Sequence, residues 1–312
     1  MKQMISVFSF LLALLFLLPA CTGRSEPEDS APVPTVTSSA GEDRTAAEDT
    51  FPGVSIRVLS QNLRSGDDPD GNSIRERQPR FAELVNTYEP DLIGTQETTF
   101  GWNIYLKRVF GEEYAFVGCS REGRDATDGE WNTILYRKDR FALVDSDTFW
   151  LTATPQTVSA VSGAKCKRIC TWALLRELES GVTVLFCNTH LDHSNDTVRG
   201  TQAEYLIAGL QEYVGKYPIF LTGDFNAQNT SAPYQTIKKV FADAHQKAKK
   251  RNSKVSYTFH GYGKSQKEID FVFFDPDFAV PQEYCVVSDD FGGFVSDHYG
   301  ILTDFGVLTG TD

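Results

Sequence analysis

From residue 54 onward the chain carries short apolar runs separated by polar turns, a pattern typical of buried strands. Residues 54–60 (VSIRVLS) alternate apolar and polar positions with a period of two, which indicates a strand. Further strands are predicted at DLIGTQE, WNTILYR, VTVLFCNTH, PIFLTGDF, IDFVFF and YGILTDF. Apolar residues with helical spacing predict one helix through Phe81, Leu84, Val85 and Tyr88, and another near residues 201–214. This order predicts an α/β (α+β) domain of two layered sheets with helices outside.

The first 21 residues predict a signal for export. Lys2 precedes an apolar run over residues 5–20, and the segment closes as LLPAC at Cys21. The run is shorter than the roughly 20 residues that span a bilayer. Because Cys21 occupies the place of the lipid-modified cysteine in a lipobox-like segment, we expect an exported lipoprotein, periplasmic or at the cell surface, with plain secretion as the alternative.

Residues 22–50 are predicted to be a disordered acidic linker. They are rich in Ser, Thr, Pro, Ala, Asp and Glu and contain no aromatic residue, so they cannot bury enough apolar surface to fold. Residues 51–312 then form one catalytic domain, without a second linker or an internal repeat. We expect a monomer that contacts the membrane only through its lipid anchor.

Charge and cysteine content narrow the function further. The net charge of −12 argues against avid, sequence-independent binding to a long polyanion. The one dense basic stretch, KAKKRNSK at residues 247–254, is predicted to be a solvated loop rather than a nucleic-acid contact. Five cysteines in the domain show no metal-type spacing, and Cys166 and Cys170 either pair locally or remain thiols.

Polar side chains stand at the ends of the predicted strands, where a rigid element opens to a cleft. Each has an ordinary explanation when taken alone, because Asp and Asn commonly start turns. Together they supply the carboxylates, amides and imidazoles that hydrolysis of a phosphoester around Mg²⁺ needs. The residues are Asn62, Glu97, Glu130, His190, Asp224, Asn226, Asp270, Asp297 and His298.

The motifs QN, QE, NTHLDH, GDFN, IDF and SDH follow one another in this order over residues 54–305. In this order they resemble the endonuclease/exonuclease/phosphatase superfamily, whose archetype is pancreatic deoxyribonuclease I. GEWNTILYRKDRF and FWL further resemble an exported bacterial branch of it. The resemblance implies a four-layered sandwich in which two packed mixed β-sheets are flanked by helices.

The resemblance also implies a role for each residue. Asn62, Glu97 and Asp297 resemble a site for Mg²⁺, with Mn²⁺ as a substitute. Asp224 resembles the residue that orients or deprotonates the attacking water. The phosphate would be contacted by Asn226, by the histidine pair His190 and His298, and by Arg168, for which a surface ion pair is the alternative. Glu130 is expected to hold His190, and Asp270 to hold His298.

The sequence therefore predicts a Mg²⁺-dependent phosphoesterase that cleaves phosphodiester bonds by in-line attack of water. Its expected substrates are extracellular nucleic acid or nucleotides. The presence of His190 speaks against an abasic-site endonuclease. The alternatives are a phosphatase or sphingomyelinase-like hydrolase of inositol phosphates or phospholipid head groups, and, more remotely, a binding lipoprotein without catalytic activity.

Overall fold

The structure is a computed structural model that describes residues 53–308. The predicted signal peptide, its Cys21 and the linker over residues 22–50 lie outside the described residues. Within residues 53–308 no helix has the length and apolar character needed to cross a membrane.

Residues 53–308 contain thirteen strands and five helices. The strands are β1 (Gly53–Asn62), β2 (Leu92–Thr98), β3 (Tyr114–Val117), β4 (Trp131–Arg137), β5 (Phe141–Trp150), β6 (Ile169–Glu177), β7 (Thr183–His190), β8 (Ile219–Asp224), β9 (Ala242–Asp243), β10 (Lys250–Arg251), β11 (Asp270–Phe274), β12 (Ala279–Val287) and β13 (Gly300–Leu308). The helices are α1 (Ile74–Tyr88), α2 (Phe100–Phe110), α3 (Asp196–Leu210), α4 (Ala232–Ile237) and α5 (Ala244–Lys247).

The strands form two mixed sheets. The first has the order β10-β12-β13-β1-β2-β4-β3, and the second has the order β5-β6-β7-β8-β11-β9. In the first sheet β1 runs parallel to β2 and antiparallel to β13. In the second, β7 and β8 are parallel, while β8 and β11 are antiparallel. The predicted pair of mixed sheets is confirmed.

Three apolar clusters hold four layers together. Between the sheets, Phe220 of the second sheet packs on Phe305 of the first, with ring centroids 4.6 Å apart. On the outer face of the first sheet, Phe81 of α1 and Trp102 of α2 pack over buried strand residues. Leu206 of α3 belongs to the corresponding cluster on the second sheet. The three long helices α1, α2 and α3 therefore each bury their apolar residues on one sheet only.

A small polar cluster also joins the two sheets. Asn188 on β7 accepts hydrogen bonds at Oδ1 from Gln96 Nε2 (2.7 Å) and Thr222 Oγ1 (3.2 Å). Its Nδ2 donates to the carbonyl of Thr95 on β2 at 2.8 Å. These groups are fully buried and cannot bind water, so the hydrogen bonds between them replace the ones that water would provide in the unfolded chain. Gly94 lies against this cluster, and its lack of a side chain allows β2 to approach β7 and β8 closely.

Several local predictions need correction. The second predicted helix begins earlier than residue 201, because Asn195 caps α3 through its Oδ1 and the N–H of Val198 (2.9 Å). The basic stretch over residues 247–254 is not wholly a loop, since β10 lies within it and pairs with β12. All five cysteines of the described chain are free thiols, so the alternative of a Cys166–Cys170 bridge is not formed.

We expect Gly94→Ala to lower the free energy of unfolding by about 1–3 kcal/mol, as overpacking in a core does. A Cβ at this position would lie 2.1 Å from Thr222 Oγ1 and 2.9 Å from Asn188 Oδ1. Urea unfolding measures the change. The matched control is Gly200→Ala in α3, where a Cβ would meet no described atom within 4 Å and the alanine should be neutral or stabilising. Equal unfolding midpoints for the two variants would contradict this account of Gly94.

Candidate active site

Three strands of the second sheet end in a row of polar residues. His190 at the end of β7 is the register partner of Asp224 at the end of β8, and Asp224 is the partner of Asp270 at the start of β11. All three side chains are buried. Because β11 runs against the other two strands, its first residue lies at the sheet edge where they finish.

The first sheet contributes two residues to the same place. Asn62 ends β1, and its Nδ2 donates to Glu97 Oε1 at 3.1 Å and to Asp224 Oδ2 at 3.0 Å. Glu97 lies where the pairing of β2 with β4 shifts register, and it has a left-handed backbone with φ of 54°. Such irregularities re-aim a side chain away from the regular alternation of a strand. The Asn62 amide thus links carboxylates from both sheets.

Asn226 reaches the site by a turn beyond the end of β8 and not by the alternation of a strand. β8 ends at Asp224, and Asn226 follows with a left-handed φ of 48°. Its N–H donates to Asp224 Oδ1 at 2.8 Å, the bond of an Asx turn. Its Nδ2 donates to the carbonyl of Leu191 at 3.0 Å and lies 3.0 Å from His190 Nε2.

This contact defines the state of His190. Because the Asn226 amide nitrogen is a donor, His190 Nε2 is the acceptor, and the proton of the neutral ring lies on Nδ1. Burial and the charges of Arg168 and Arg121 hold the pKa of His190 well below its usual value. Nδ1 has no hydrogen-bond partner among the described residues. His190 therefore has a buried N–H donor without a hydrogen-bond partner among the described residues.

The expected pairing of Glu130 with His190 is wrong. Glu130 Oε2 accepts instead from Arg121 Nη1 at 2.7 Å and lies 4.0 Å from Arg168 Nη1. A carboxylate flanked by two guanidinium groups is drawn to them rather than to a neutral imidazole. Burial nevertheless raises the pKa of Glu130, against the effect of Arg121.

The expected pairing of Asp270 with His298 is present. His298 Nδ1 lies 2.8 Å from Asp270 Oδ2, and both side chains are buried. Burial alone would lower the pKa of His298, but the Asp270 carboxylate outweighs it and raises the pKa to about 10. The imidazole is therefore protonated at neutral pH, and its Nε2 lies 3.8 Å from Asp224 Oδ2.

Asp224 and Glu97 differ in charge state. Burial and the nearby Asp270 raise the pKa of Asp224 to about 7, although His298 opposes the rise. Burial also acts on Glu97, but hydrogen bonds from Ser65 and Asn62 outweigh it and lower its pKa. Glu97 is thus a carboxylate at neutral pH, while Asp224 is poised to gain or lose a proton.

Arg168 and Asp297 complete the set predicted from the sequence. Arg168 is only 4% exposed, so the alternative of a surface ion pair is wrong, and its Nη2 lies 3.4 Å from His193 Nδ1. Asp297 Oδ2 lies 3.8 Å from Arg64 Nε, and burial raises the pKa of Asp297. Both residues line one cleft of about 590 Å³ together with Glu97, His190, Asp224, Asn226 and His298.

Comparison with known proteins identifies the family of this chain. Residues 59–298 match the Endonuclease/Exonuclease/phosphatase family, which is more than half of the chain. The chain belongs to this family. An endonuclease/exonuclease/phosphatase from Bacteroides vulgatus is 30% identical with a TM-score of 0.76, and the match covers 82% of this chain and 100% of that one. A mannosyl-6-phosphatase from Bacteroides thetaiotaomicron is 28% identical with a TM-score of 0.73, over 81% and 100% of the two chains.

Two families of eukaryotic proteins also match in sequence. Protein angel of Drosophila melanogaster is 25% identical over 201 residues, which is 60% of this chain and 55% of that protein. Human nocturnin is 25% identical over 214 residues, which is 62% of this chain and 47% of that protein. The chain therefore spans about half the length of these curated relatives.

The donor groups suit the divalent cation on which endonuclease/exonuclease/phosphatase enzymes generally depend. One donor atom each from Glu97, His190 and Asp224 lies within 4.8 Å of the others, and Asp224, Asp270 and His298 form a second such group. Asp297 lies near Glu97, because burial and the charge of Glu97 both act to raise the pKa of Asp297. This crowding of carboxylates, which favours protonation of Asp224, is what a bound cation would relieve.

Several residues that line the cleft were not predicted from the sequence. Ser65 donates to Glu97 Oε2 from both its N–H (2.8 Å) and its Oγ (2.9 Å). Arg121, His193, Arg199 and Lys267 line the cleft. His193 is the last residue of the NTHLDH motif and Arg199 follows that motif, which was a usable signal, whereas Ser65 and Lys267 lie in ordinary loop sequence.

We expect Asp270→Asn to lower the pKa of His298 from about 10 toward its ordinary value of 6.5. Loss of the carboxylate charge removes the main interaction that favours the imidazolium, so the ring deprotonates at lower pH. NMR titration of the imidazole in metal-free protein measures the change. Asp304→Asn, which removes a carboxylate that pairs with Arg57 on β1, serves as the control. An unchanged titration of His298 in Asp270→Asn would refute the assignment.

Proposed function

We propose that the protein is a divalent-metal-dependent hydrolase that cleaves a phosphoester by direct attack of water. One observation carries this proposal: an anionic carboxylate, a proton acceptor and two imidazole donors converge on a single cleft. They are Glu97, Asp224, His190 and His298. Membership of the endonuclease/exonuclease/phosphatase family supports the same reaction class.

Mg²⁺ is the proposed metal, with Mn²⁺ as a substitute, because carboxylate and amide oxygens suit these hard cations. Glu97 and Asp297 would hold it. Asn62 would join them through Oδ1, which here accepts from the N–H of Arg64 at 2.8 Å. A bound cation supplies charge neutralisation for the phosphoryl oxygens and the leaving oxygen.

Asp224 is the proposed base that orients the attacking water and takes its proton. Its two oxygens are held by Asn226 N–H and Asn62 Nδ2, which fix the direction of the carboxylate. A pKa of about 7 is close to the value at which a base is effective at neutral pH.

The two histidines are proposed to act as different kinds of donor. His298, charged and held by Asp270, can stabilise developing negative charge and give a proton to the leaving oxygen. Neutral His190 offers its Nδ1–H to a phosphoryl oxygen. Asn226 acts here chiefly as the residue that orients His190, because its Nδ2 is shared between His190 and the Leu191 carbonyl.

Two classes of bond fit this chemistry. Phosphodiesters of extracellular nucleic acid or nucleotides are the substrates that the sequence motifs favour. Phosphomonoesters are the second candidate, supported by the similarity to a mannosyl-6-phosphatase along the whole length of that chain. The export and the lipidation at Cys21 remain proposals, with a monomer held to the membrane by its lipid alone.

A substrate panel should show hydrolysis of at least one phosphoester in the presence of Mg²⁺. The panel contains single-stranded DNA, RNA, nucleotides, sugar phosphates, inositol phosphates and sphingomyelin, and the products identify the bond that breaks. Binding without turnover of any member, with Mg²⁺ or Mn²⁺, would favour the non-catalytic alternative and overturn the proposal.

Chelation of divalent metal should abolish the activity, and Asp224→Asn should lower kcat by roughly 10²–10⁴-fold because the proton acceptor is lost.

Glu97→Gln should weaken the rise in melting temperature that added Mg²⁺ causes, because it removes the ionised ligand. The control is Asp277→Asn, an exposed carboxylate outside the cleft. Activity that survives chelation, or near-normal turnover by Asp224→Asn, would contradict the assigned roles.

A further inference from the structure

One side of the catalytic cleft is lined by cationic residues that the mechanism does not use. Arg121, Arg168 and Arg199 line the cleft together with His193, and we call these four residues the arginine wall. Arg121 precedes β4, Arg168 precedes β6, and Arg199 lies on α3, so three separate elements bring them together. Arginine is the side chain best suited to bind phosphate, because its planar fork can donate two parallel hydrogen bonds.

The arginines of the wall share their acidic neighbours unequally, and Arg121 also lies 3.7 Å from Glu122 Oε1 through its Nε. Glu130 Oε2 lies 2.7 Å from Arg121 Nη1 and 4.0 Å from Arg168 Nη1, so two guanidinium groups share one carboxylate. Burial and the like charge of Arg121 together lower the pKa of Arg168. The ion-pair partner of Arg199 is Asp196, which is exposed to solvent. A buried guanidinium beside a second one indicates a place prepared for an anion.

The wall also holds hydrogen-bond donors that no group of the described chain satisfies. The Nε atoms of Arg121, Arg168 and Arg199 are buried and have no hydrogen-bond partner among the described residues, although Glu122 Oε1 forms an ion pair with Arg121 Nε at 3.7 Å. The Nδ1 of His190 is also buried and also has no hydrogen-bond partner among the described residues. Several unsatisfied buried donors in one cleft are unusual and call for an acceptor that binds there.

The wall is next to the reacting centre. His190 stands between the two, since its Nε2 lies 3.5 Å from Asp224 Oδ2 while Arg168 and Arg121 together lower its pKa. A phosphoryl group that accepts from His190 Nδ1 can therefore turn its remaining oxygens toward the guanidinium groups.

We propose that the arginine wall receives a terminal, doubly charged phosphoryl group, so that the enzyme hydrolyses phosphomonoesters in preference to phosphodiesters. This inference rests on the proposed function and selects one of its two bond classes. It also extends the contact with phosphate beyond Arg168 to Arg121 and Arg199.

The charge and the number of oxygens of the substrate favour this choice. A phosphomonoester carries a charge of about −1.5 to −2 near neutral pH and presents three terminal oxygens. A diester carries one negative charge and presents two such oxygens, and its second ester group would have to lie against the wall. Water forms the new P–O bond and gives a proton to Asp224, and the leaving alkoxide takes one from His298, so the products are an alcohol and inorganic phosphate.

The test compares p-nitrophenyl phosphate with bis-p-nitrophenyl phosphate as substrates of the full-length protein with Mg²⁺. The variants are Arg121→Gln and Arg199→Gln, each of which removes one guanidinium from a different element. The control is Arg137→Gln, because Arg137 pairs with the exposed Asp139 at 2.7 Å and does not line the cleft. We expect the wild type to have the higher kcat/KM for the monoester. Each wall variant should lose about 100-fold on the monoester while the value for the diester stays nearly unchanged.

Binding of inorganic phosphate without metal gives a readout that does not depend on turnover. Phosphate should raise the melting temperature of the wild type and of Arg137→Gln, and should raise it less in both wall variants. The unliganded melting temperatures show whether a variant has folded, and the two wall variants test the same inference independently.

The outcomes separate this inference from the proposed function. Hydrolysis of neither ester under any metal condition would overturn the proposed function and the inference with it. Hydrolysis of both esters with equal losses in the wall variants, or a wild type that prefers the diester, would overturn the inference alone. A phosphate-induced shift that is the same in wild type and wall variants would also overturn it.

Discussion

The site depends on the link that the Asn62 side chain makes between the two sheets. Its Nδ2 binds a carboxylate from each sheet, Glu97 at 3.1 Å and Asp224 at 3.0 Å. Neither sheet holds a complete site, because the first supplies Asn62 and Glu97 while the second supplies His190, Asp224 and Asp270. The packing of Phe220 on Phe305 and the buried contacts of Asn188 keep the two strand edges in reach of this one amide.

The electrostatics of the cleft follow from this assembly. Bringing strand ends together places Asp224 beside Asp270 and Glu97 in a buried space, which favours the protonated form of Asp224. The same Asp270 holds His298 in its charged form. The Asp270 carboxylate therefore raises the pKa of both His298 and Asp224, the proposed acid and the proposed base. Burial and the guanidinium groups of Arg168 and Arg121 lower the pKa of His190 and keep that ring neutral, so the two histidines of one site differ in charge.

The sequence predicted the fold and most of the site because both depend on strands. Apolar runs mark buried strands, and polar residues at their ends mark a shared edge, so Asp224, Asp270 and His298 were expected together. Three features of the site could not be predicted from the sequence. The left-handed backbone of Asn226 replaces strand alternation, the register shift near Glu97 is set by pairing with β4, and Glu130 is bound by Arg121, which periodicity does not reveal. Each results from contacts between segments that are distant in the chain or from turn geometry.

The pairing of β1 with β13 brings the two ends of the domain into one site. Gln61 Nε2 donates to the carbonyl of His298 at 3.1 Å across a separation of 237 residues, beside Asn62. Contacts of such sequence separation form late, because a long loop must close before they are gained. A chain that has built only its central strands holds no intact site, so the proposed hydrolytic activity would report that the whole domain has folded.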